Sequence, residues 1–335
     1  MTSNAAPDEF SLIDRIIARL GDAAATSILV PPGDDAAAWA PANPGVIATT
    51  DVLTEGIDWR ADTMSYEDVG WRSIAANVSD IAAMGATPEI LLVAAVLGDS
   101  LTPEELDAAT DGMAAACREH NVRIAGGDIS RGDCTAFAVT ALGSARIDRA
   151  GRALVLRRDT ARVGEIVAVS GSPGAARAGL AVVDAKRTHE PAAEPLLAAL
   201  RRPVARVDVG LAAVLRGVQC GIDISDGLAQ DLGHVAKRSN VGIEIDLERL
   251  PLHIHAMAMF GIDAARNYAI SGGDDYELAL IGRGDIIESL GLPLTVIGRV
   301  VADHPGSAVV LRADGRTYEP PPGWDQIRMQ PWSSA

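Results

Sequence analysis

The sequence predicts two domains of mixed helix and strand, α+β in class with an α/β two-layer build, and three observations carry that expectation. Its 335 residues exceed one ordinary domain of about 150. Strand-like and helix-like stretches alternate in both halves. Between the halves, Arg146 to Arg162 is rich in arginine and poor in periodic apolar residues, which divides the chain into 1–150 and 151–335. Hydrophobic residues form 48% of the chain and aromatics only 4%, so Ala, Val, Leu and Ile must fill both cores.

Val46-Ile47-Ala48-Thr49-Thr50 reads as a short strand ending at Asp51. Ser65-Tyr66-Glu67-Asp68 has capping-box form and opens a helix that turns Val69, Ile74, Val78 and Ile81 inward and stops near Gly85, before Pro88. A second helix, about Pro103 to His120, precedes the strand Val122-Arg123-Ile124-Ala125, and Phe137 to Leu142 forms another strand. In the second half Ile166-Val167-Ala168-Val169 is a strand, followed by the turn Gly171-Ser172-Pro173-Gly174 and a helix. That turn could offer amides to an anion, although such turns are more often simple connections. The Pro-rich stretch after Tyr318 is expected to be irregular.

Composition narrows the function classes. The formal net charge is −16, the opposite of what a nucleic-acid groove requires. No apolar run reaches the roughly 18 residues of a membrane span. Met1 to Phe10 is polar and acidic, unlike a signal peptide, so the expected compartment is the cytoplasm. Cys117, Cys134 and Cys220 lack metal-ligand spacing and read as free thiols. Lysine occurs only at 186 and 237, and the GxxxxGK[ST] loop is missing. Any phosphate handled here must therefore be neutralised by metal ions, arginines or backbone amides.

The acids carry the most information. Asp34 and Asp35, Asp51, Asp128, Asp223 and Asp226, and Asp274 and Asp275 fall at strand ends or in glycine turns among apolar neighbours. Turn chemistry alone favours Asp and Gly, so each cluster taken singly is ordinary. Together, strand-end carboxylates from several segments are how a fold gathers hard oxygen ligands for Mg²⁺, and without a cation they would repel one another. Asp80 lies inside an apolar helix, where an acid is paired or metal-bound. Asn77 shares its face, and a buried salt bridge is the alternative to a ligand role.

Nine runs, in order, resemble the thiamine-monophosphate kinase family, which belongs to the group of aminoimidazole ribonucleotide synthetase, selenophosphate synthetase and the hydrogenase-maturation dehydratase. They are Glu9-Phe10-Ser11-Leu12-Ile13, Gly33-Asp34-Asp35-Ala36, Thr49-Thr50-Asp51, the run from Asn77 to Ala86, and Gly126-Gly127-Asp128. Then follow Gly151-Arg152-Ala153-Leu154, Asp223-Ile224-Ser225-Asp226-Gly227-Leu228, the run from Ser271 to Leu278, and Gly323-Trp324-Asp325.

The resemblance implies a two-domain fold like that of aminoimidazole ribonucleotide synthetase, with the N-terminal sheet used for homodimerisation. It implies ATP and thiamine monophosphate as substrates, with several Mg²⁺ ions in an acidic cleft. By the same resemblance Asp34, Asp51, Asp80, Asp128 and Asp223 bridge metals, Thr49 and Thr50 add oxygen ligands, and Asp226 adds a further contact. Ser225 and the Gly127-Asp128 backbone are expected at ATP, Arg158 at its phosphates and His120 beside adenine. Asp58, Asp274 and Trp324 are expected at thiamine monophosphate. Arg158, Asp51 and Asp128 are the expected catalytic residues.

Other members of the group fit less well. A selenophosphate synthetase would carry a reactive cysteine near the N-terminus, whereas the first cysteine is Cys117. The hydrogenase-maturation enzyme would carry a C-terminal cysteine, whereas this sequence ends Trp332-Ser333-Ser334-Ala335. Against aminoimidazole ribonucleotide synthetase stands the Asp274-Asp275-Tyr276-Glu277-Leu278 run. A non-catalytic nucleotide-binding module is the alternative of another class, and the complete set of matched aspartates weighs against it.

Overall fold

The computed structural model describes residues 9–28, 39–302 and 309–324. The helices are α1 (Glu9–Leu20), α2 (Tyr66–Ala83), α3 (Pro103–Glu119), α4 (Ala175–Asp184) and α5 (Glu194–Arg201), then α6 (Val207–Leu215), α7 (Leu228–Ser239), α8 (Ile254–Phe260), α9 (Ile262–Ser271) and α10 (Gly284–Glu288). The first five strands are β1 (Gly45–Thr54), β2 (Thr87–Gly98), β3 (Arg123–Gly132), β4 (Ala136–Ile147) and β5 (Ala153–Leu154). The others are β6 (Ile166–Ser170), β7 (Cys220–Asp223), β8 (Gly242–Asp246), β9 (Leu278–Gly282), β10 (Leu294–Val301), β11 (Val309–Ala313) and β12 (Arg316–Tyr318).

The first sheet has the order β1-β4-β2-β3, with β5 added to β4, and it is antiparallel except for the β2–β3 pair. Because side chains alternate along a strand, Phe137, Val139 and Ala141 of β4 turn to one face. There they share a core with Ile74, Val78 and Ile81 of α2 and Ala109 and Met113 of α3. The opposite face carries Val46 and Val52 of β1, 51% and 47% exposed. The second sheet has the order β12-β11-β8-β10-β6-β9-β7. On one side Val167 and Val169 meet Leu228 and Leu232 of α7 and Ala269 of α9. On the other, Ala168 and Leu280 meet Val209 and Val214 of α6, Ile287 of α10, and Ala82 and Ala83 at the end of α2. Helix α2 thus belongs to both cores.

The Ser65 capping box forms as the sequence predicts: Ser65 Oγ accepts from the Asp68 amide at 3.2 Å, and the Asp68 carboxylate accepts from the Ser65 amide at 3.1 Å. Two strands are longer than their sequence signals. β1 continues through Asp51 to Thr54, and β3 runs past Asp128 to Gly132, so these acids lie within strands and not in turns. Pairing with β4 and β2 overrides the local turn signal, since a neighbour satisfies the backbone groups that a turn would leave open. Residues 319–324 carry neither helix nor strand. Among the described residues no helix is long and apolar enough to cross a membrane. The three cysteines are free, with Cys117 and Cys220 buried and Cys134 exposed.

Glycines at the crossing set how closely α2 and α3 approach. A Cβ on Gly112 would lie 1.8 Å from the Glu67 carbonyl oxygen, and one on Gly70 would lie 1.9 Å from that of Ala109. Gly112→Ala gains about 1 kcal/mol of intrinsic helix propensity, yet the backbone clash should outweigh it by about 1–3 kcal/mol. A thermal melt is expected to show a Tm several degrees lower, and an unchanged or higher Tm would mean that the helices do not meet this closely.

Candidate active site

A cleft of about 680 Å³ separates the two sheets, and residues of both line it. The polar face of α2 forms its floor. Asn77 Oδ1 accepts from the Asp51 amide at 3.0 Å, fixing the middle of β1, while its own amide donates to the Ser73 carbonyl at 2.9 Å. Thr49 Oγ1 donates to the Asp80 carboxylate. Ser79 Oγ donates to the Asp223 carboxylate at 2.8 Å, reaching across to the end of β7. One helix therefore brings Asp51, Asp80 and Asp223 to the same wall, with Thr49 beside them.

Asp226 follows in the loop between β7 and α7. Its position is set by a carboxylate that the sequence reading passed over. Asp231, 2% exposed, turns back from the first turn of α7 and accepts from the amides of Ser225, Asp226 and Gly227, each at 3.1 Å. An acid in the first turn of a helix that follows a glycine loop is the signal that could have identified it. The same loop pairs with the next acidic run: the amides of Asp274 and Tyr276 donate to the carbonyls of Ser225 and Ile224 at 2.8 and 2.9 Å. Asp274 and Tyr276 both take left-handed backbone angles, φ 67° and 51°. Trp324 is tied to the loop by its amide, which donates to the Asp226 carbonyl at 2.9 Å, and its carbonyl accepts from Gln230.

The far wall holds Asp58 and Asp274, with a buried arginine between the elements. Arg72 of α2, 2% exposed, forms an ion pair with Asp274, which also accepts from the Tyr276 hydroxyl at 3.2 Å. The sequence reading missed Arg72, although a lone arginine among the small and apolar residues of α2 was its signature. Asp58 accepts from the Thr54 amide at 2.8 Å. Asp275 is drawn away from the cleft. Its carboxylate accepts from the amides of Gly174 and Ala176, so the glycine turn before α4 is already capped by an acid of the chain itself.

Crowding shows in the acid strengths. Asp51 is open to solvent but enclosed by cleft walls; that partial desolvation, followed by repulsion from Asp80 and Asp226, pushes it up to about 6. Burial, then Asp80, pushes Asp223 up to about 7, against the hydrogen bond from Ser79. Asp80 and Asp226 are also raised, chiefly by burial. Arg158, on the loop after β5, lines the cleft and is the cation whose field favours the charged forms of Asp80, Asp223 and Asp226. Several carboxylates and a threonine hydroxyl, each held but not neutralised, are a fitting donor set for a hard divalent cation such as Mg²⁺.

The structure thus brings together Thr49, Asp51, Asp58, Asp80, Arg158, Asp223, Ser225, Asp226, Asp274 and Trp324. Thr50 points the other way, its hydroxyl donating to the Val139 carbonyl at 3.0 Å. Gly127 and Asp128 are also remote. Asp51, Val139, Val93 and Gly127 form one row across the sheet, so Asp51 and Gly127 stand on opposite edges, about 14 Å apart by strand spacing. Asp128 is exposed and pairs with Ala94 in the adjoining row. His120 is buried at the end of α3, with its ring centroid 6.4 Å from that of Trp71, and burial lowers its pKa to about 4. It is not among the residues that line the cleft. Asp34 lies outside the described residues.

Comparison with known proteins agrees with this architecture. Residues 33–145 match the AIR synthase related protein N-terminal domain, and residues 162–310 match the corresponding C-terminal domain. The thiamine-monophosphate kinase of Salmonella typhimurium is 35% identical over 309 residues, covering 89% of this chain and 92% of the relative. The crystal structure of thiamine-monophosphate kinase from Stenotrophomonas maltophilia superposes with a TM-score of 0.79 at 37% identity, covering 92% and 96% of the two chains. AaThiL complexed with AMPPCP and TMP superposes with a TM-score of 0.75 at 32% identity, covering 96% and 99%. With both AIR synthase related domains present and this similarity along nearly its whole length, the chain belongs to the thiamine-monophosphate kinase family.

Proposed function

We propose that this cleft transfers the terminal phosphoryl group of ATP directly to the phosphate of thiamine monophosphate, giving ADP and thiamine diphosphate. The observation that carries the reading is the convergence of Asp51, Asp80, Asp223 and Asp226 from β1, α2, β7 and the following loop. A relative of this family has been captured with an ATP analogue and TMP together, which supports the same ligand pair here. Several Mg²⁺ ions held by Asp51, Asp80, Asp223, Asp226 and Thr49, with Asp34, would neutralise the phosphate charge during transfer.

The chain's own groups then have defined tasks. Arg158 stands beside the acids and can stabilise charge on the phosphoryl oxygens. The acceptor is a phosphate monoester with a second pKa of about 6, so it is largely dianionic at pH 7 and needs little help from a general base. Alignment is therefore the main demand, and the paired loops at 224–227 and 273–277 supply a rigid wall for it. Thiamine carries a quaternary nitrogen in an aromatic ring. The carboxylates of Asp58 and Asp274 and the indole of Trp324, on the side of the cleft held by Arg72 and Gln230, suit such a cation.

A second copy completes the site in this reading. The outward face of the first sheet leaves Val46 and Val52 exposed, as a partner surface would. Packing two such faces lets Gly127, Asp128 and Thr50 of one copy approach the metal cluster of the other. The protein then acts as a homodimer with two shared sites, in the cytoplasm.

Product analysis with ATP, Mg²⁺ and thiamine monophosphate, beside free thiamine and an EDTA control, tests the reaction. Thiamine diphosphate should form from the monophosphate alone and only with metal; formation from free thiamine would displace the reading. Asp51→Asn and Asp128→Asn should each abolish turnover by at least about 100-fold while circular dichroism stays native. Mixed and re-equilibrated, the two variants should recover about a quarter of wild-type activity, because half of the dimers then contain one intact composite site. No recovery would place Asp51 and Asp128 of one site in the same chain.

The raised carboxyls give a pH test. Asp51 at about 6 and Asp223 at about 7 hold protons more tightly folded than unfolded. Their ionisation therefore costs no stability below about pH 4, an increasing amount from pH 4 to 7, and the full amount above that. Metal-free protein is expected to melt several degrees lower at pH 8 than at pH 5, with Mg²⁺ restoring the loss at pH 8 and doing little at pH 5. Scanning fluorimetry reads both, and a metal effect independent of pH would separate these carboxylates from the metal.

A further inference from the structure

Three side chains able to ligate a metal meet where α7 begins, beside the acidic cleft. One carboxylate oxygen each of Asp226 and Asp231 and a ring nitrogen of His234 all lie within 4.8 Å of one another. Asp231 and His234 stand at i and i+3 on α7 and so share one helical face, while Asp226 comes from the preceding loop. Asp231 is 2% exposed, yet only half of its carboxylate is used: the Ser225, Asp226 and Gly227 amides all donate to Oδ2. Among the described residues nothing donates to its Oδ1. Capping of the loop accounts for the first oxygen. It does not account for an unpartnered second one on a buried acid, next to an imidazole and another carboxylate.

We infer that Asp226, Asp231 and His234 hold one divalent transition-metal ion, of the class that includes Zn²⁺ and Co²⁺. Two carboxylates and a neutral imidazole balance the charge of such an ion. Around an ion with bonds of about 2.1 Å, ligand atoms stand roughly 3–3.5 Å apart. His234 is exposed, so rotation of its side chain closes the remaining distance. The three amides meanwhile hold Asp231 in one orientation, as a ligating carboxylate requires. The imidazole sets the class of metal: the acids along α2 offer oxygen alone and suit Mg²⁺, whereas a nitrogen ligand favours a softer ion. The guanidinium groups nearby have counter-charges of their own, Arg158 in Asp80, Asp223 and Asp226, and Arg238 in Asp159. Three protein ligands leave a position open to water or a phosphate oxygen. The site shares Asp226 with the proposed Mg²⁺ set, through the other oxygen of that carboxylate, and does not depend on which acceptor is phosphorylated.

The test is calorimetric titration of the full chain with Zn²⁺ in excess Mg²⁺. His234→Gln is compared with its parent, both carrying Cys134→Ser to remove the exposed thiol. The ring pair His253 and His255 is present in both proteins and cancels. The parent should bind one equivalent that the variant loses or holds at least about 10-fold more weakly, since losing a group that merely orients a metal ligand already costs about that much. Co²⁺ in place of Zn²⁺ should give a visible absorption band that His234→Gln lacks. Because His234 is exposed, the metal-free variant should melt within a degree or so of its parent. Asp51→Asn, which depletes the set along α2, should keep the zinc equivalent; its loss there would make the two sites one and overturn the inference. Equal zinc binding with and without His234, or none by the parent in excess Mg²⁺, would overturn it as well. Turnover is not the readout, so failure of the proposed reaction would leave these outcomes distinct.

Discussion

Helix α2 is the element through which the two halves of the protein depend on each other. Its flanks fill both cores, with Ile74, Val78 and Ile81 under the first sheet and Ala82 and Ala83 against the second. Its remaining stripe is polar, and each of those groups holds one piece of the cleft: Asn77 the Asp51 backbone, Ser79 the Asp223 carboxylate, Asp80 the Thr49 hydroxyl. A helix buried on nearly every side cannot rotate or slide without opening a core, so these contacts are as rigid as the packing that surrounds them. The acids are gathered where their mutual repulsion is unfavourable, and the hydrophobic cores supply the energy that holds them there.

The arrangement separates two tasks. Acids that would hold cations lie along α2, β1 and the end of β7, whereas the groups suited to a cationic aromatic substrate lie on the loops around Asp58, Asp274 and Trp324. Arg72 and Asp231 belong to neither set but fix members of both, Arg72 by pairing with Asp274 and Asp231 by collecting three loop amides. Glu277 does similar work at the rear, where it accepts two hydrogen bonds from Arg206 and one from Ser170 and so locks the second acidic run to α6 and β6. Each is a buried charge with a specific partner, which is the condition for such a group to be tolerated.

Lysine is nearly absent, so the positive charge of the chain rests on arginine. Most arginines in the described residues are committed to carboxylates, as in Arg187 with Glu190 or Arg202 with Asp68. Arg158 instead lines the acidic cleft, where its field acts on Asp80, Asp223 and Asp226. The absent phosphate loop and the near absence of lysine fit the proposed function, in which metal ions held on aspartates would meet the charge on phosphate.

Much of this was already determined by the sequence. The capping box at Ser65, the apolar spacing of α2 and the β-branched runs specify local structure without help, because their signals lie within a few residues of one another. The ordered motifs likewise identify the family and most of the cleft acids. Tertiary structure alone decided which of those acids meet. Asp51 and Asp128 look alike in sequence, yet sheet order sends them to opposite edges, and Thr49 and Thr50 are divided by the pleat. His120 follows its helix into the core. Asp231 acts on a loop 4 to 6 residues before it, and Arg72 through a partner 202 residues away, Asp274. Strand pairing and helix packing are long-range, so no local pattern records the direction in which a side chain finally points.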